Sequence, residues 1–191
     1  MPVTELITLA RHGETEWSRD LRHTGLTDIP LTAVGREQAA ALAPALAALE
    51  PALVLTSPLS RAADTCRLAG LGHQALEEPA LLEWDYGAYE GLTSARIHQD
   101  RPGWTIFEHG APGGETPEQV GARADAVIAR LVAAGGPCVV FAHGHVLRVL
   151  GARWIGLPPS EGARLALSTA TLSVLGTEHD RRAIARWNAE P

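Results

Sequence analysis

Residues 3–10 form an apolar, β-prone run that ends directly on Arg11-His12-Gly13, and Cys138 to Ala142 form a second run that ends on His143-Gly144-His145. Short apolar runs bounded by loop residues read as buried strands, so each histidine is expected at a strand's carboxyl end. Helical signals alternate with these runs. Thr32 can cap a helix reaching about Leu49 on an Ala and Leu face, and Pro44 should kink it or end it early. Residues 52–57 read as a short buried strand, followed by a helix from about Leu59 to Ala69. The span 85–116 is rich in Gly, Pro and aromatics, with one short helix expected near 93–100. Thr116-Pro117-Glu118-Gln119 combines a capping box with Pro at the first helical position. It predicts a helix running to about Ala134 and stopped by Gly135-Gly136-Pro137. A helix following His143-Gly144-His145 to about Ile155 and strands near 170–176 and 182–187 complete the reading. Such alternation predicts an α/β fold: a three-layer sandwich with a mostly parallel central sheet flanked by helices, and a small cap from loop insertions. Its 191 residues suit a single domain, 1–191. Ligands of open α/β sheets sit beyond the carboxyl ends of the strands, where this reading puts Arg11-His12, Ser57 to Arg61, and His143.

Charge narrows the partners. The net charge is -6 and the pI about 5.7, so nothing global attracts nucleic acid or an anionic membrane. A phosphate site must be a local cluster of cations. All 16 basic residues are Arg; with Ala abundant and Asn188 the sole Asn, compositional bias explains that, and only position is informative. Residues 38–60 carry one charge, Glu50, yet Pro44, Pro51 and Pro58 and the prevalence of Ala argue against a membrane span. The N-terminus lacks a signal peptide's basic region, and Cys66 and Cys138 form no motif. A soluble, cytoplasmic protein is expected, with a small phosphorylated molecule as partner and no nucleic acid or membrane; a homodimer is compatible with the sequence.

Several residues could carry chemistry, each with a bland alternative. A lone strand-end His is commonly structural, but His12 has a cation at Arg11 and a backbone at Gly13 that permits close approach of a ligand. His143 repeats this, followed by Gly144 and a helix start that favours anions. His143 and His145 could begin a metal site, but alternate residues leaving a strand face opposite ways and no carboxylate or Cys lies near them in sequence; no metal or cofactor is expected. Arg61 alone reads as a solvated helix-start residue. The segment Leu82 to Gly91 sets three carboxylates among aromatics, where a carboxyl could have a raised pKa and act as a general acid.

Taken together, Arg11-His12-Gly13-Glu14-Thr15, Ser57-Pro58 with Arg61, Glu83 with Tyr89-Glu90-Gly91, and His143-Gly144 resemble the histidine phosphatase superfamily, in the branch that contains phosphoglycerate mutase. Thr24-Gly25, Asp28 to Thr32, Gly35 with Gln38-Ala39, and Gly113-Gly114-Glu115 extend the likeness over residues 6 to about 155. The first block alone is moderately specific; all four in order are very specific. Thr15 to Ser18, Glu83 to Gly87 and Phe141 to Arg148 look most like small acid phosphatases and the sedoheptulose bisphosphatase group. Relatives commonly carry Asn at the Ser18 position.

The resemblance implies metal-independent transfer of a phosphoryl group to neutral His12 and hydrolysis of the phosphohistidine. Arg11, Arg61 and a cationic His143 would hold the phosphate oxygens. Glu83, protonated, would serve the leaving alcohol and then act as base toward water. Ser18, Thr24, Gly25, Ser57, Tyr86, Gly144 and Arg148 are expected to bind substrate, with Arg148 and Thr24 reaching its distal part. A phosphoglycerate mutase is the first rival, disfavoured by the short segment between Gly91 and Gly113, which leaves a small cap and easy access for water. A non-catalytic phospholigand-binding module is the second, disfavoured because His12 and Glu83 are both present. The short cap also leaves a protein-phosphatase role open.

Overall fold

The computed structural model describes residues 4–191; Val3, expected to open the first strand, lies outside them. Strands β1 (Thr4–Arg11), β2 (Leu53–Thr56), β3 (Ala75–Glu77), β4 (Cys138–Ala142), β5 (Leu172–Glu178) and β6 (Arg181–Ala189) form one six-stranded sheet in the order β3-β2-β4-β1-β5-β6. The four strands β3, β2, β4 and β1 run parallel; β5 pairs antiparallel with β1, and β6 antiparallel with β5. The expected α/β sandwich with a mostly parallel central sheet is therefore present.

Parallel strands covered by helices on both faces need apolar residues on both, and β4 is buried at all five positions. Cys138, Val140 and Ala142 join Ile7 and Leu9 in one core layer, while Val139 and Phe141 join Ala10 and Val54 in the other. The helices are α1 (Glu16–Arg19), α2 (Ala33–Ala41), α3 (Ala43–Ala47), α4 (Ser60–Leu68), α5 (Ser94–Asp100), α6 (Ile106–His109), α7 (Pro117–Ala133) and α8 (Gly144–Trp154). Side chains of α7 and α8 fill the first layer, and Cys66 of α4 and Leu46 of α3 lie in the second.

Local signals acted as expected in most places. Thr32 caps α2, accepting from the Gly35 N–H, and the helix breaks at Leu42, where Pro44 starts α3 without a side-chain cap. Thr116 and Gln119 close the capping box of α7. Three elements, α1, β3 and α6, had no expectation. In β3 only Ala75 is even half-buried, so this edge strand lacks the alternation that marks a strand.

Register brings the loops together. Arg11 lies opposite Ala142, and Thr56 opposite Phe141. The ladder continues one residue further, with the His12 N–H donating to Ala142 O at 3.0 Å and the Ser57 N–H to Phe141 O at 2.9 Å. His12, Ser57 and His143 thus leave three adjacent strands at one level.

Candidate active site

A cavity of about 520 Å³ opens at this sheet edge, lined by Arg11, His12, Glu83, Tyr86, Gly144 and His145, among others. His12 is buried, with Nδ1 2.7 Å from the Gly13 carbonyl. A carbonyl only accepts, so Nδ1 carries the proton and Nε2 keeps its lone pair. Burial, aided by the charges of Arg11 and Arg61, pushes the His12 pKa down to about 3. Its imidazole is neutral at physiological pH and in a nucleophile's tautomer.

The loop bearing it is clamped by backbone contact. A Cβ on Gly13 would lie 2.2 Å from Gly35 O, and one on Gly35 would lie 2.0 Å from Glu14 O, so both sites need glycine. The Gly13 N–H donates to Thr65 Oγ1 at 3.1 Å, and the Glu14 N–H to Gln38 Oε1 at 2.9 Å.

Arg11 donates through Nη1 to Leu167 O, while its buried Nε has no hydrogen-bond partner. A buried unpaired guanidinium N–H costs on the order of 1–3 kcal/mol unless a ligand satisfies it, and Arg11 forms part of the cavity wall beside Gly144, the first residue of α8.

Arg61 is fully buried, unlike a solvated helix-start residue. Nε donates to His143 Nδ1 at 3.0 Å, Nη1 to Thr27 O, and Nη2 to Gly25 O at 2.8 Å and Thr24 O at 3.3 Å. Those carbonyls are presented by a loop that Glu90 holds through the Gly25 and Thr27 N–H groups.

His143 departs from expectation. Because Nδ1 accepts from Arg61, Nε2 must carry the ring proton and donate it to Ser57 Oγ at 2.7 Å. Burial and then the neighbouring Arg61 charge hold its pKa well below the ordinary value. His143 is neutral here, not cationic.

Glu83 departs as well. Its carboxylate accepts from three backbone N–H groups, those of Trp84, His145 and Val146, each at 2.9 Å. Burial alone would raise its pKa, but interaction with His145, the nearby His143 and these donors prevail and hold it well below the ordinary range. The aromatic surroundings that suggested a raised pKa are outweighed first by the His145 side chain and then by the start of α8, which aims two N–H groups at the carboxylate. Glu83 rests ionised, not protonated.

One family model spans this entire arrangement. The histidine phosphatase superfamily (branch 1) matches residues 7–190. The chain belongs to the histidine phosphatase superfamily. An acid phosphatase of Mycobacterium tuberculosis is 43% identical over 183 residues, covering 94% of this chain and 90% of the relative. A sedoheptulose 1,7-bisphosphatase of Saccharomyces cerevisiae is 34% identical over 81% of this chain and 69% of its own length. The solved structure of a Mycobacterium tuberculosis open-reading-frame product superposes with a TM-score of 0.92 at 41% identity, covering 97% of both chains. Family and relatives support a phosphatase.

The remaining expected substrate contacts divide within this histidine phosphatase fold. Gly144, Tyr86, Ser18, Thr24 and Arg148 line the cavity. The Ser18 and Thr24 hydroxyls already donate to Thr15 O and Arg22 O. Arg148 donates to Gly162 O and Ala163 O and stacks 4.5 Å over Phe107. Ser57 and Gly25 do not line the cavity. Ser57 is fully buried and accepts from His143, and Gly25 presents its carbonyl to Arg61, so the two hold His143 and Arg61 in place and are not on the cavity wall. Trp84, Trp104 and Phe107 pack in the core and do not line the cavity. Arg22, His23 and Thr93 to Ala95 also line the wall, as does Leu167, which lies outside every segment that the sequence pointed to. Leu167 is brought there by the loop before β5, whose Ala170 N–H reaches Arg11 O and His12 O, a contact no local pattern announces.

Proposed function

We propose that the protein is a metal-independent phosphomonoesterase that hydrolyses small phosphorylated metabolites through a phosphohistidine on His12. The observation that carries this reading is the His12 tautomer: Nδ1–H donates to Gly13 O, leaving Nε2 unprotonated on the cavity. In-line attack by Nε2 on phosphorus breaks the bond to the leaving oxygen and places the phosphoryl group on His12. Arg11, with an unsatisfied Nε at the site, grips the non-bridging oxygens. Arg61 contributes its charge from one layer behind, through His143. Glu83, ionised, accepts a proton from the water that hydrolyses the intermediate.

Sugar phosphates fit a cavity of about 520 Å³; the acid phosphatase and sedoheptulose 1,7-bisphosphatase relatives point to phosphomonoesters of that size. A panel of phosphorylated metabolites, assayed by phosphate release before and after exhaustive chelation, tests the reading. Hydrolysis of several monoesters at an unchanged rate is expected. Activity abolished by chelation and restored by a divalent ion contradicts it.

A further inference from the structure

An ionised Glu83 leaves the first half-reaction short of a proton, since the departing alkoxide needs one. His145 is a half-buried titratable group beside Glu83 that the scheme above does not use. Its own N–H donates to Glu83 Oε2 at 2.9 Å, and its ring Nδ1 lies 3.8 Å from that same oxygen. The Tyr86 hydroxyl sits 2.6 Å from Nδ1, and the ring lines the cavity with Tyr86 and His23.

We propose that His145 is a positioning residue that stores the proton Glu83 delivers to the leaving group, holding it as an imidazolium whose Nδ1 faces the carboxylate. The proposal rests on the phosphohistidine reading. The charged and titratable groups facing the ring are Glu83 and Tyr86 from the segment before α5, His23 from the loop after α1, Arg11 from the end of β1, and Arg148 on its own helix. Phe107 of α6 packs against it with ring centroids 5.1 Å apart. Burial, with Arg148 and Arg11, favours the neutral ring, and Glu83 opposes them. A bound phosphate dianion adds negative charge beside the ring and tips this balance toward the imidazolium.

The protons balance. The imidazolium passes its proton to Glu83, becoming neutral, and Glu83 passes it to the leaving oxygen as the P–O bond breaks and the P–N bond to His12 forms. In the second half-reaction water attacks phosphorus, the P–N bond breaks, and the water proton goes to Glu83 and back to His145. Nothing beyond ester and water is consumed.

The test uses pH profiles of kcat/KM for two esters, p-nitrophenyl phosphate, whose phenolate leaves without an acid, and glycerol 3-phosphate, whose alkoxide does not. His145→Asn keeps a polar partner for Tyr86 but cannot store a proton. Its loss on the alkyl ester is expected to exceed its loss on the aryl ester by about 100-fold, and the basic limb of the alkyl profile should disappear. Tyr86→Phe, which removes only a hydroxyl, should displace that limb and lower alkyl turnover selectively, and serves if His145→Asn does not fold. Equal losses on both esters with an unmoved basic limb overturn the proposal. A wild-type enzyme that forms a phosphohistidine while its variants lose both esters alike refutes the role of His145 alone. A wild type that cleaves neither ester overturns the phosphatase reading with it.

Discussion

His12 holds its proton on Nδ1 because a carbonyl one residue away leaves no alternative, and it stays neutral because it is buried between two arginines. The same physics makes the fold acid-labile. The unfolded chain protonates His12 near its ordinary value of 6.5, the folded chain only at about 3. Between those values the unfolded state binds more protons, so stability rises with pH and is lost as pH falls below about 6.5, at up to ~1.36 kcal/mol per pH unit for each such group. His143, lowered for the same reasons, adds with the same sign. Denaturant unfolding of the wild type and His12→Asn from pH 7 to 4.5 checks this. The wild type's stability relative to the variant should decline by about 1 kcal/mol per unit below pH 6, and a pH-independent difference contradicts it.

At the scale of elements, the loops are held by backbone packed against backbone. Gly35, on the first turns of α2, lies so close to Glu14 that a methyl group has no room. Gly35→Ala should therefore shift the His12 loop and lower kcat by about 100-fold, with a stability loss of about 1–3 kcal/mol. Thr116→Ala, at a helix cap remote from the cavity, should cost about 1 kcal/mol of stability and leave kcat/KM unchanged. Equal kinetic effects from the two would refute the clamp. The helices most legible in the sequence were those carrying their own signals, such as the capping box and proline of α7 and the interrupting Pro44. The strand β3 was not legible, because an edge strand needs little burial and shows no alternation. The four-residue α6 has no side-chain cap hydrogen bond to announce it.

Over the whole molecule, legibility follows the same division. Which residues meet at the sheet edge could be read, because strands ending on His12, Ser57 and His143 must deliver them to one side. Their protonation could not, because it depends on partners supplied through tertiary structure. Glu83 is ionised by the side chain and N–H of His145, 62 positions later in the chain, and His143 is neutral because it is buried and faces an arginine 82 residues before it. The wall residue Leu167 was hidden for the same reason. These partners turn a sheet edge with the right residue types into a site with a neutral histidine, an unsatisfied cation and an ionised carboxylate.

In the proposed reaction His12 itself carries the phosphoryl group. Brief reaction with phosphorus-labelled phosphomonoester, followed by denaturing quench and separation of the protein, measures it directly. A labelled protein is expected, whose label is lost in acid, survives in base, and is absent from His12→Ala. Turnover by the wild type with no label retained under any quench, or label persisting in His12→Ala, contradicts it.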